Sequence, residues 1–223
     1  MELTSSEIEL ENDQIDLSTI KDSFNLIIMG DSSVGKTSIL ERFCYDFFKT
    51  EKNCKNILQI YKKIYLHRNK KYLIKFWDSP NFVDNCSDSE INMFHNCDGI
   101  LFTCSYDNPS SLTHINTWYQ LLTKYIDLST KEMALIVNKK DLNEEKRIIK
   151  EEQIEKKGKD LQLKFFEISA KTGENVFRTI KLILNNIIDK YINDNKNEGD
   201  EQNNNSDSDN EIENGKDGGC FII

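Results

Sequence analysis

The feature that most constrains this chain is the octapeptide Gly30-Asp31-Ser32-Ser33-Val34-Gly35-Lys36-Thr37. It fits G-x-x-x-x-G-K-[ST], in which glycines let the backbone curl so that successive N–H groups point at phosphate oxygens. In that geometry Lys36 reaches the outer phosphates, the Thr37 hydroxyl ligates Mg²⁺, and Ser38 continues into a helix whose positive end faces the anion. A chance match would lack the flanking context. Here an apolar run, residues 24–29, precedes the loop as a buried strand, and residues 36–47 have helical character.

The rest of the chain repeats this alternation. Strands are expected over residues 57–66 and 72–77 with a turn at 69–71, then over 99–104, 133–137 and 164–168. Helices are expected over 110–126, 151–161 and 176–192, where apolar residues recur near helical spacing. Alternating strands and helices imply crossover connections. The expected fold is an α/β P-loop NTPase, with a mostly parallel six-stranded sheet and helices on both faces. In such sheets ligands bind at the carboxyl ends of the strands.

A second motif falls at such an end. Asn138-Lys139-Lys140-Asp141-Leu142 follows the strand ending at Val137. A carboxylate at Asp141 can accept hydrogen bonds from N1–H and the 2-amino group of guanine, a pattern adenine does not offer. Asn138 can tie this loop to the phosphate loop, and Lys139 can cover the base with its aliphatic stem. Ser169-Ala170-Lys171, after the next strand, supplies a third loop at the base edge. N-K-x-D also argues against an ATP-using kinase or ATPase.

Charge is distributed unevenly. The net charge is −9, but residues 1–22 carry seven acids against one lysine, and residues 193–223 nine acids against two lysines, leaving the stretch between them at a net +4. This suits a phosphate ligand and gives no case for nucleic acid. No apolar run reaches the roughly 18 residues of a membrane helix. The acidic start, in which Ile8, Leu10, Ile15, Leu17 and Ile20 allow a short helix, is unlike a signal peptide, so a cytoplasmic protein is expected. The six cysteines form no CxxC pair and are read as free packing thiols. Residues 193–219 hold one aliphatic residue, Ile212, and are expected to be a disordered acidic linker. Cys220-Phe221-Ile222-Ile223 reads as a C-a-a-X box, with Cys220 as the lipid attachment site and a final residue favouring geranylgeranyl. The linker lacks a polybasic second signal, so a single prenyl chain implies reversible membrane attachment and a lipid-carrier protein.

Together these motifs resemble the Ras superfamily of small GTPases, and within it the Rab branch. The resemblance covers residues 23–192, between an acidic extension (1–22) and the linker. It includes Gly30 to Ser38, Asn138 to Leu142, Ser169 to Val176, and Trp77-Asp78, which matches the start of the Rab W-D-T-A-G-Q-E segment. It implies binding of GTP and GDP with Mg²⁺, a switch in vesicle traffic, exchange-factor and effector partners, and a monomer. Asp78 would hold Mg²⁺ through a water. Phe48 falls where the family packs an aromatic on the guanine edge.

The switch segments depart from the family. The Thr that caps Mg²⁺ falls at Lys55, whose ammonium has donors only and cannot ligate a metal. The Gly that meets the γ-phosphate is Asn81, and the Gln that orients the attacking water is Phe82. Weak intrinsic hydrolysis is expected. A nucleotide-bound scaffold that neither hydrolyses nor switches is the alternative. In the aromatic trio read by Rab effectors Trp77 is kept, Ile60 replaces a Phe, and the Tyr position falls near Met93-Phe94.

Overall fold

A computed structural model describes residues 19–50, 58–79 and 86–207, with the backbone alone beyond 196. The apolar run before the phosphate loop forms the buried half of strand β1, Ile20–Met29. Helix α1 (Lys36–Tyr45) follows the loop directly. Strands β2 (Gln59–His67) and β3 (Lys70–Asp78) form an antiparallel hairpin. Then come α2 (Asp88–His95), β4 (Gly99–Ser105), α3 (Pro109–Thr123), β5 (Glu132–Asn138), α4 (Glu151–Leu161), β6 (Lys164–Glu167) and α5 (Val176–Asp207).

The sheet order is β2-β3-β1-β4-β5-β6, with every pair parallel except β2–β3. Side chains of successive strand residues point to opposite faces, and β1 divides them accordingly. Leu26 and Ile28 pack under α1 and α5 with Phe43, Ile180 and Leu184. Ile27 and Met29 pack under α2, α3 and α4 with Phe94, Ile115 and Ile154. Helices therefore cover both faces, as the pattern predicts. Strand β4, buried at every position, has the continuous apolar character of a central parallel strand.

Several boundaries differ from the sequence expectation. Ile20 opens β1, paired with Lys71, instead of closing an N-terminal helix. The hairpin turn is Arg68-Asn69, not 69–71. Both residues take left-handed φ (46° and 61°), the form whose twist matches two-residue hairpins. Helix α3 stops at Thr123, where Tyr125 and Ile126 N–H groups fold back on the Leu122 carbonyl. Strand β6 ends at Glu167. Helix α2 was not expected at all. Ser87 and Glu90 form its capping box, but its apolar content is too brief to show periodicity. The backbone of α5 continues to Asp207, so the expected disorder from 193 is replaced by helix over 193–207. Each added residue of an established helix gains a hydrogen bond without a new nucleation cost.

Because β1, β3, β4, β5 and β6 run parallel, the loops that follow them gather at one edge of the sheet. Both sequence motifs lie there.

Candidate functional site

The phosphate loop is shaped by three residues with left-handed φ: Gly30 (146°), Ser33 (64°) and Gly35 (97°). Two of these positions exclude a side chain. A Cβ on Gly30 would stand 2.1 Å from the Thr103 carbonyl oxygen, and one on Gly35 would stand 2.3 Å from Asn138 Nδ2. The loop is thus pressed against β4 on one side and against the last residue of β5 on the other. A curl of this kind turns N–H groups inward and makes an anion cradle. Val34 is fully buried beneath it, while Ser32 and Ser33 are exposed.

Lys36 closes the cradle from within. Its Nζ donates to the carbonyls of Gly30 at 2.6 Å and Asp31 at 2.9 Å, and the residue is buried. A buried ammonium that needs carbonyl partners is also poised for phosphate oxygens. Ser38, in the first turn of α1, is buried. Asp31 is anchored on α3, with His114 Nδ1 at 2.7 Å from one carboxylate oxygen and Trp118 Nε1 donating to the other at 3.3 Å.

Thr37 and Asp78 meet across the end of β1 and β3. The Thr37 hydroxyl donates to Asp78 Oδ2 at 2.5 Å. A hydroxyl and a carboxylate, both hard oxygen donors beside a phosphate cradle, fit Mg²⁺. Ser79 folds back onto β1, its hydroxyl donating to the Ile28 carbonyl at 2.6 Å.

Asn138 joins three loops. Its Nδ2 donates to the Val34 carbonyl at 2.8 Å, and its Oδ1 accepts from the Ala170 N–H at 3.1 Å. The residue is 2% exposed, so neither partner has water as a substitute. Asp141 lies beside the third loop. Ser169 Oγ donates to its Oδ1 at 2.6 Å, and Lys171 Nζ lies 3.8 Å from its Oδ2. Lys139 takes a left-handed φ of 67° and reaches Asp107, just beyond β4, at 2.8 and 3.0 Å. Burial pushes the Asp107 carboxyl up, but hydrogen bonds from Lys139 and Ser105 outweigh it and hold the group below its usual range.

Other expected residues are more peripheral. Leu142 is half-buried against the core under α3 and α4. Phe48 is half-buried against the core under α1 and α5. Met93 and Phe94 are buried, so the third effector aromatic has no surface counterpart there, whereas Ile60 and Trp77 stand opposite each other on β2 and β3. Lys55, Asn81, Phe82 and Cys220 lie outside the described residues, as does most of the acidic extension.

Two supporting residues carry no sequence signal and a third only a faint one. Arg42 of α1 donates from Nε to the Ala170 carbonyl and from Nη2 to the Lys171 carbonyl, each at 3.0 Å, which fixes the third loop. Arg147 braces the loop after β5. It donates to the carbonyls of Leu142 at 2.8 Å and Lys140, with its guanidinium over the Tyr106 ring. Asp107 has a weak signal, since it is a carboxylate just past a buried strand.

Comparison with known proteins agrees with this geometry. The family model described as "Ras family" matches residues 25–189. The chain is 28% identical to the Ras-related protein Rab-10 of Diplobatis ommata, an alignment spanning 75% of this chain and 82% of the relative. It is 28% identical to the Ras-related protein Rab-8A of Pongo abelii, over 80% and 86%. It is 29% identical to the GTP-binding protein Rab-3D of Rattus norvegicus, over 75% of each chain.

Proposed function

This chain belongs to the Ras family as a Rab-like small GTPase, and from that premise we propose that it binds GTP and GDP with Mg²⁺ as a switch in vesicle traffic with weak intrinsic hydrolysis. The observation that carries the reading is the joining of phosphate loop, guanine loop and third loop through Asn138. Residues 31–38 hold the phosphates. Asp141, with Lys139 and Leu142 beside it, reads the base, and Ser169, Ala170, Lys171 and Phe48 flank it. Thr37 ligates Mg²⁺, and Asp78 holds one of its waters. The ion supplies charge neutralisation at the phosphates.

Weak hydrolysis follows from residue chemistry. A water is oriented by a side chain that both donates and accepts, and Phe82 does neither. Lys55 has no lone pair for the metal, so the first switch has lost its usual link to the γ-phosphate. We also propose a prenyl group on Cys220 that places the protein reversibly on the cytosolic face of an intracellular membrane, attended by a carrier that shields the lipid. No helix among the described residues is long and apolar enough to cross a membrane.

Single-turnover hydrolysis of GTP by the purified full chain with Mg²⁺, scored as bound GTP and GDP over time, tests the reading. Loaded GTP that persists for hours supports it. Failure to load guanine nucleotide overturns the binding assignment, and turnover at an ordinary Rab rate overturns the hydrolysis assignment. If GTP persists and partner binding is also indifferent to the nucleotide, the chain is the scaffold that Lys55 and Phe82 already suggest.

A further inference from the structure

At the β2–β3 end of the sheet, the face that carries α2, α3 and α4 is left open by the helices of the described residues. In the β2–β3 hairpin, Tyr65 and Tyr72 stand opposite each other, as do Tyr61 and Phe76, and all four lie in the core under α1 and α5. The alternate positions must point the other way. Ile60, Ile64 and Leu66 of β2 and Leu73 and Trp77 of β3 share that second face. Among the described residues, Trp77 is the one of these five that joins a core cluster. Ile60 is 45% exposed and Leu66 62% exposed.

This apolar strip is laced with positive charge. Lys62 and Lys75 stand directly opposite each other within it, an arrangement that is unfavourable without a negative neighbour. Lys71 lies opposite Leu66 at one end of the strip, and Lys21 of the adjoining strand β1 is exposed beside it. Residues 59–77 of the hairpin include six Lys and Arg and no Asp or Glu, and its one carboxylate, Asp78 at the end of β3, falls on the opposite face.

The chain carries a complementary segment at the right place. Residues 1–18 contain six acids and no Lys or Arg, with Leu3, Ile8, Leu10, Ile15 and Leu17 between them. The segment enters the sheet at Ile20, whose partner is Lys71, so it starts at the corner of this face. From Lys71 to Trp77 is about 20 Å at ~3.3 Å per strand residue. Eighteen residues reach up to roughly 60 Å when extended, enough to turn back and cover the strip. The acidic C-terminal stretch is less well placed. It leaves through α5, which packs on the opposite face.

We infer that residues 1–18 fold back as an acidic strap over the β1–β3–β2 face. Carboxylates meet Lys62, Lys71 and Lys75, and the aliphatic side chains cover Ile60, Ile64 and Leu66. The strap occupies the surface that includes Ile60 and Trp77, so a partner reading those residues must displace it. The docking rests on sheet geometry and charge, not on the nucleotide assignment.

Lysine acetylation of the full chain by a limiting N-hydroxysuccinimidyl ester, read residue by residue by mass spectrometry, tests this. The comparison is the full-length variant E7Q/E9Q/E11Q/D13N. Lys62, Lys71 and Lys75 should react roughly fivefold faster in the variant, as the covered fraction falls. Wild type should approach the variant's rates at ~1 M salt, where screening shortens to about 3 Å. Lys146 on the loop after β5 and Lys181 on α5 should react alike throughout. Equal rates in the two proteins, or protection indifferent to salt, overturns the strap. Protection that disappears on dilution also overturns it, because a second copy would then be covering the face.

Discussion

Thr37 Oγ1 and Asp78 Oδ2 are 2.5 Å apart, although α1 and β3 bring them from positions 41 residues apart in the chain. The pair forms a polar contact between the phosphate loop and the strand that leads into the second switch. Replacing Asp78 by Ala removes the group proposed to orient a Mg²⁺-bound water. Losses at such outer positions commonly cost about 10–100-fold in metal affinity. The D78A protein should release fluorescent GDP at nearly the same rate with Mg²⁺ as with EDTA, whereas the wild type should show a clear difference. A preserved Mg²⁺ effect would remove Asp78 from the metal site.

Asn138 is a buried uncharged side chain whose amide bonds two loops. In N138A the Val34 carbonyl and the Ala170 N–H both lose their partner in a position closed to water. Each orphaned group costs ~1–3 kcal/mol, so denaturant unfolding should show a loss of about 2–6 kcal/mol. GDP release should accelerate in the same variant. Unchanged stability would mean that the loops rearrange to satisfy both groups.

The buried cysteines should be chemically silent. Burial pushes the Cys44 and Cys104 thiols up to about 12 and the Cys97 thiol up to about 11. Only the thiolate attacks alkylating reagents. Iodoacetamide at neutral pH should therefore leave these three residues unmodified in the native protein and label all three in urea. Labelling of Cys104 in the native state, deep in β4, would contradict the packing described.

Asp98 provides a pH test with a defined sign. Burial pushes its carboxyl up, against the hydrogen bond from the Asn25 N–H and the charge of Lys131. A carboxyl raised on folding penalises the folded state at pH values above its folded pKa, and the penalty fades as pH falls below the unfolded value. D98N retains an oxygen acceptor for Asn25 without the charge. Its melting temperature should equal or exceed that of wild type at pH 7, and the advantage should shrink toward pH 4. A lower value at pH 7 would show that the charged hydrogen bond outweighs the burial cost.

How legible the site was depends on what each residue needs. Lys36, Thr37, Asn138 and Asp141 belong to loops whose shape is written locally, in glycines and strand ends, so spacing was enough to single them out. Arg42 and Arg147 act on backbone carbonyls, Arg42 across 128 residues of sequence to Ala170 and Arg147 over a loop whose path only folding defines. No spacing encodes such reach. The fold follows the same division. The buried strands declared themselves by continuous apolar runs, whereas the start of β1 at Ile20 depends on pairing with Lys71, and α2 on a cap followed by only two buried residues, Met93 and Phe94.

The threefold attachment of Asn138 has a mechanical consequence. The loops proposed to hold the base and the phosphates share one amide, so they are not independent holds that can be released in turn. A protein that bends only the rim after β6 pulls on Ala170, through it on Asn138, and through that on the Val34 carbonyl in the floor of the cradle. On the proposed nucleotide placement, leverage applied at the base edge therefore loosens the phosphate end as well, and a catalyst of exchange would have no need to touch the phosphates to expel them.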